Sequence, residues 1–225
     1  MKLQQACRQL AALAVIAVLS ACGGGGSDTS APPVATTTPT PAPTPTPTPP
    51  PTPLAANQMQ ISVDAGTDGR SVNSPYVTVT VCQPGTANCQ SIDHVLLDTG
   101  SFGLRLAASA MGSLTLPQVA APGGSNALAE CAGFVSGFSW GAVRRADVQL
   151  AGERAANVPV QLVGDPAVPN VPAACSNTGS SIGVGAGAKG ILGIGFETQD
   201  CGPACVNSTA PALYYTCPPA PGPGC

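Results

Sequence analysis

Asp98-Thr99-Gly100-Ser101 is the stretch of this sequence best suited to chemistry. It follows His94-Val95-Leu96-Leu97, a run with apolar residues on both faces, which sets the aspartate at the end of a covered strand. A carboxylate held there, with small and bendable residues after it, can position a water for attack on a peptide bond. That reaction needs two carboxylates, one to take a proton from water and one to protonate the carbonyl oxygen. No second Asp-Thr-Gly or Asp-Ser-Gly occurs in the chain, and Asp64-Ala65-Gly66 and Asp200-Cys201-Gly202 lack the hydroxyl residue. The competing role for Asp98 is that of a loop carboxylate capping neighbouring backbone amides.

The elements that must position this loop read as short strands between turn residues. Tyr76–Val81 alternates cleanly, with Val77, Val79 and Val81 on one face and Thr78 and Thr80 on the other. Met59–Val63 alternates too. Ala146–Leu150 and Val158–Val163 read as a hairpin around the segment AGERAAN, and Ile191–Gly195 as a further buried strand or turn. The one weakly indicated helix lies at Leu104–Met111. The glycines of Ser180–Gly190 predict a flexible loop, and no Walker-type Gly-Lys-Ser/Thr follows them to make a phosphate cradle. Trp140 is expected to serve packing.

Pro75–Leu106, a strand, a turn, a second strand and then the Asp-Thr-Gly-Ser motif, resembles the start of a pepsin-like (retropepsin-like) aspartic-peptidase lobe. Phe134–Glu153 resembles the flap hairpin with its following strand, and Ala188–Gly195 resembles the Gly-Ile-Leu-Gly turn that closes the lobe's psi-shaped motif. The resemblance implies a mostly β fold, a single lobe of a bilobal architecture whose second lobe would lie beyond Cys225. It also implies roles: Asp98 as one carboxylate of a proton-sharing dyad, Thr99 bracing the loop, Gly100 allowing two loops to approach, and Ser101 hydrogen-bonding the outer oxygen of Asp98. Two positions depart from the pattern. Phe134 stands where the flap carries a Tyr, and Arg105 stands where pepsin-like enzymes usually have Trp.

The flanks of the chain point to a location. Lys2 and Arg8 precede the apolar run Leu10–Leu19, which is too short to span a bilayer but fits a secretory h-region. Leu19-Ser20-Ala21-Cys22 resembles a bacterial lipobox, which implies removal of residues 1–21, lipidation of Cys22 and partnership with a membrane through that anchor. Gly23 in place of a retention aspartate implies the outer membrane of the cell envelope. Residues 22–57 are a Gly/Pro/Thr-rich linker whose only charge is Asp28, a composition that cannot offset its ordering entropy. Its Pro39–Pro53 stretch favours polyproline II and reaches roughly 45 Å. Residues 58–225 are left for one folded domain. The mature chain keeps six basic and eleven acidic residues, a formal charge of −5, which excludes a nucleic-acid partner of the basic-face kind. The whole layout, from lipobox to Tyr214-Tyr215-Thr216-Cys217, also resembles a family of uncharacterised bacterial lipoproteins known only as a domain of unknown function.

Eight cysteines follow the lipobox, an even count that in an exported chain reads as a disulfide framework. Local spacing pairs Cys82 with Cys89, Cys201 with Cys205 and Cys217 with Cys225, which leaves Cys131 for Cys175. A metal site at Cys201 and Cys205 would need two more ligands, and the single histidine, His94, is remote in sequence. No metal and no cofactor are expected. Two functions remain open: a membrane-anchored envelope protein that keeps the fold without catalysis and takes a peptide or protein ligand, or an aspartic endopeptidase whose second aspartate-bearing lobe lies outside this chain.

Overall fold

The computed structural model of the chain describes residues 53–185, 187–197, 213–218 and 225. Cys22, the lipobox, most of the linker and the Cys201–Cys205 pairing lie outside the described residues.

Among the described residues nine strands follow in chain order: β1 (Ser62–Asp64), β2 (Ser74–Cys82), β3 (Cys89–Asp98), β4 (Phe102–Ala107), β5 (Ala127–Phe134), β6 (Gly137–Leu150), β7 (Glu153–Val163), β8 (Gly190–Ile194) and β9 (Tyr214–Cys217). One short helix, α1 (Ala173–Ser176), lies between β7 and β8. The architecture is mostly β, with a closed barrel of six strands. Around the ring, β2 pairs with β3, β3 with β8, β8 with β4, β4 with β7, and β7 with β6. The second half of β6 returns to β2, with Thr80, Val81 and Cys82 opposite Gln149, Val148 and Asp147. Closure removes the exposed edges that an open sheet would present.

The barrel interior is β-branched and aliphatic. Val77, Val79 and Val81 of β2 pack with Ile92 and Val95 of β3, Leu106 of β4 and Val160 of β7. Thr78 faces solvent, as the period of two requires. Asp147 is buried at the closure, where its carboxylate accepts from the Gly85 and Asn157 amides (2.8 and 2.7 Å) and pairs with Arg154. These bonds hold the Asp147 carboxyl well below its usual range, at about 2, with the Gly85 amide the largest cause, then Arg154 and the Asn157 amide.

The first half of β6 leaves the ring and carries β5 and β9 as a flank. Its core is different in kind: Ala127, Ala129, Ala142, Phe138 and Trp140 pack with Cys131, Cys175 and Cys217. The Trp140 indole donates to the Val168 carbonyl (2.8 Å) and its ring meets Tyr215 edge-on at 5.4 Å. Disulfides bond Cys131 of β5 to Cys175 of α1, and Cys217 of β9 to Cys225. A third, Cys82–Cys89, ties the end of β2 to the start of β3, where the two residues are direct cross-strand partners.

Three expectations about local structure need correction. Leu104–Met111 is not a helix: Phe102–Ala107 is strand β4, followed by a single 3-10 turn at Ala108–Ala110. Leu104 and Leu106 point into the core two residues apart, and β7 and β8 take the hydrogen bonds on either side. Met59–Val63 yields a strand only from Ser62, and Ile61 and Val63 are exposed. The β6–β7 hairpin turns on Ala151-Gly152 alone, Ala151 taking a left-handed φ of +53°, so Glu153–Asn157 belongs to the strand. Gly152 donates to the Ala56 carbonyl (2.8 Å), which fastens the end of the linker segment to this turn.

Candidate functional site

Asp98 is the last residue of β3, and the chain reverses through Thr99, Gly100 and Ser101 into β4. β8 lies between the outgoing and returning strands, parallel to β3 and antiparallel to β4. Gly193 is opposite Asp98 on one side and Gly103 on the other. Two strands cannot lie this close around a third unless side chains are missing where the backbones meet. A methyl at Gly193 would overlap the backbone of Ser101 and Phe102. One at Gly190 would stand 2.7 Å from the Arg105 carbonyl oxygen, and one at Gly195 2.8 Å from that of Ser101. The Gly195 amide then donates to the Ser101 carbonyl at 2.7 Å, which closes the loop over β8.

Within this loop Asp98 is partly exposed and Thr99 and Gly100 are exposed. The Gly100 amide donates to Asp98 Oδ1 at 2.9 Å, the short-range capping bond open to any loop aspartate. One role implied by the resemblance is not found. Ser101 Oγ is buried and makes no hydrogen bond among the described residues, so it does not hold the outer oxygen of Asp98. A methyl at Gly100 would meet only Asp98 Oδ1, at an ordinary 3.4 Å, and the tight passage among the described residues lies across the loop at Gly193 and Gly195.

The two positions that depart from the pepsin-like pattern touch each other. Arg105 Cζ lies 5.7 Å from the centroid of the Phe134 ring, a cation–π distance. Arg105 is only 5 % exposed, and its charge is met by Glu130 of β5, with Nη2 to Oε1 at 2.7 Å. Its Nη1 donates to the Phe102 carbonyl at 2.6 Å. Behind the pair, Gln161 of β7 donates to the Glu130 carbonyl (2.8 Å) and accepts from Ser139 of β6 (3.1 Å), a polar seam buried between barrel and flank. A pocket of about 60 Å³ lies alongside, lined by Gly103, Arg105, Glu130, Gln161 and Tyr214 among others.

Sequence reasoning did not single out Glu130. The available signal was a lone acidic residue inside the otherwise apolar run Ala127–Ala132, which in a buried strand demands a partner.

Most buried carboxylates here are neutralised by a cation. Glu130 is paired with Arg105, Asp147 with Arg154 and Asp165 with Arg144. In the middle of β3, exposed Asp93 bonds Lys189 and His94, and these two, Lys189 first, hold its carboxyl down at about 2. The Lys189 amide donates to the His94 carbonyl, so this cluster fixes the start of β8. Asp98 has no cationic partner among the described residues. Among those residues no group of three or more His, Cys, Asp and Glu side chains could hold a metal ion.

A family model described as "Protein of unknown function (DUF3443)" matches residues 53–225, and the chain belongs to that family. No curated protein matches the chain.

Proposed function

We propose that this chain is a lipid-anchored bacterial cell-envelope protein whose folded domain is one lobe of the pepsin-like aspartic-peptidase type, and that on its own it binds a peptide or protein segment without cutting it. The observation that supports this best is the passage of β8 between β3 and β4 with Gly193 opposite Asp98. It is the arrangement that the resemblance of Ala188–Gly195 to the psi-shaped motif implies. It sets an aspartate without a counter-charge among the described residues on a partly open loop, with the β5–β6 hairpin linked to that loop through Arg105 and Phe134.

One carboxylate cannot serve at once as base toward water and as acid toward the substrate carbonyl. A second carboxylate about 3 Å away is also what keeps a proton shared within such a pair. Binding survives without it, because backbone donors and apolar side chains near the loop, such as half-exposed Ile194, remain available to an extended segment. The second reading, an endopeptidase completed by a carboxylate from another segment or chain, is favoured by one feature: Asp98 is not consumed by any ion pair among the described residues.

Binding is tested by following backbone amide resonances while an unfolded peptide is added. Shifts concentrated at residues 98–103 and 133–137 are expected, and shifts confined to other surfaces would contradict the reading. The anchor is tested by Cys22→Ser, which should move the protein from the membrane fraction to the soluble periplasm. An unchanged distribution would refute lipidation at that residue.

A further inference from the structure

We propose that the buried Arg105–Glu130 pair is a positioning device that fixes the β5–β6 hairpin against the loop bearing Asp98. A single guanidinium reaches three separate parts of the molecule. Nη1 holds the Phe102 carbonyl, the first residue after the Asp98–Ser101 loop. Nη2 holds Glu130 in the middle of β5. The Phe134 ring, at the end of β5 where the hairpin turns, lies against the guanidinium. Both charged side chains are almost wholly buried, at 7 and 9 % exposure. A buried pair of this kind is weak evidence for stability, since apolar residues of similar volume often serve a core equally well. What the pair adds is geometry. The planar fork has its donors in fixed directions, so the loop carbonyl, the strand carboxylate and the ring can be satisfied together in only one relative placement.

The contacts around the pair keep the constraint narrow. The Glu130 backbone is gripped by Gln161 from β7, so the carboxylate cannot follow a drifting side chain. Beyond Glu130, Cys131 is tied through its amide to the Leu213 carbonyl and through its disulfide to Cys175, and the rest of β5 pairs with β6 as the hairpin closes at Phe134 and Gly137. On the β6 arm the Phe138 amide donates to the Ser180 carbonyl, and its carbonyl accepts from Ile182. The tip residue Val135 is exposed. Among the described contacts of the β5 arm, that between Phe134 and Arg105 is thus the one next to the turn, and it is the one directed at the Asp98 side. The functional meaning of the device rests on the binding reading above, but its physical content does not. Hairpin motion can be measured without any peptide, so a failure here is distinguishable from a failure there.

The experiment is amide hydrogen exchange on the purified chain in four forms: wild type, Phe134→Ala, Glu130→Gln and the double variant Arg105→Met with Glu130→Leu. Phe134 is half-buried, so Phe134→Ala should fold. It is expected to speed exchange at Ala132–Phe138 severalfold, with β2 and β3 amides unchanged. Glu130→Gln leaves the guanidinium without its counter-charge, and should speed hairpin exchange at least tenfold. The double variant separates positioning from bulk stability. Its melting temperature should return close to wild type, while hairpin exchange stays at least tenfold fast because the ties to Phe102 and Phe134 are gone. If hairpin exchange is unchanged in Phe134→Ala, recovers with stability in the double variant, or rises equally in hairpin and barrel, the proposal is overturned.

Discussion

The barrel and the flank are built from the same extended backbone by opposite means. In the barrel, large β-branched and aliphatic side chains fill a ring closed by its own hydrogen bonds, and a disulfide appears only at its rim, Cys82–Cys89. In the flank, alanines and a few larger residues, Phe138, Trp140 and Val168, pack around the half-cystines, and the disulfides Cys131–Cys175 and Cys217–Cys225 tie that core together. The difference follows from topology. A closed sheet shields both strand edges and encloses its side chains, whereas the flank ends in an outer edge at β9. The Asp98 loop is anchored in the barrel through β3, β8 and β4, while the hairpin beside it belongs to the flank. Position at the site should therefore depend on the barrel, and access to it on the flank.

The largest effect that can break this division comes from the staple. Replacing Cys131 and Cys175 by Ala opens a loop with a sequence separation of 44. On the chain-entropy estimate this costs about 4 kcal/mol. Trp140 is the only tryptophan and sits in the flank, so its fluorescence reports that region, and the overall β-sheet circular dichroism is dominated by the barrel. In this variant the fluorescence transition should come at a lower temperature than the dichroism transition. Coincident transitions would show that barrel and flank unfold as one.

A cut in the barrel should behave differently. Leu106 is fully buried between β7 and β8. Leu106→Ala is expected to cost about 3 kcal/mol, with both signals moving together because the flank is attached through β6. A selective loss of the fluorescence signal would contradict the account. Gly193→Ala, at about 2 kcal/mol of overpacking, is expected to shift the amide resonances of Ser101 and Phe102 while leaving those of β5 and β9 in place. Shifts led by the flank would mean that β8 does not set the Asp98 loop.

The smallest effect is acid sensitivity. The Asp147 carboxyl sits at about 2 in the folded chain, against about 3.9 for a free aspartate. A depressed value favours folding above the unfolded pKa, and that contribution disappears as pH falls through the window between the two. The melting temperature should hold from pH 7 to about pH 5 and decline between about pH 4 and 2. Asp147→Asn should lower the plateau and flatten the decline. An equal decline in the variant would place the acid-sensitive group elsewhere, with Asp93 the next to examine.

How much of this could be read from the chain follows from which forces are local. The period-two alternation of β2 and the run before Asp98 that is apolar on both faces are local patterns, and both stretches form strands, so both were legible. The Gly-Ile-Leu-Gly stretch was legible as a buried element, but the reason for its glycines was not. Gly193 and Gly195 answer to Ser101 and Phe102, some ninety residues earlier, and no local propensity carries that information. Leu104–Met111 misled because Leu, Ala and Met favour helices, a weak preference that hydrogen bonds to β7 and β8 override. Arg105 and Phe134 were visible as departures from a pattern. Their contact, and the partner Glu130, became visible only once the fold brought side chains of β4 and β5, which are not sheet neighbours, within reach of each other.

The central claim is that Asp98 is one half of a hydrolytic pair and that this chain does not supply the other. It is tested most directly by incubating the purified chain with denatured protein between pH 3 and 7, beside Asp98→Asn. The account predicts no cleavage by either. Cleavage by the wild-type chain that Asp98→Asn abolishes would contradict it and would show that a second carboxylate is brought to Asp98 from within this protein.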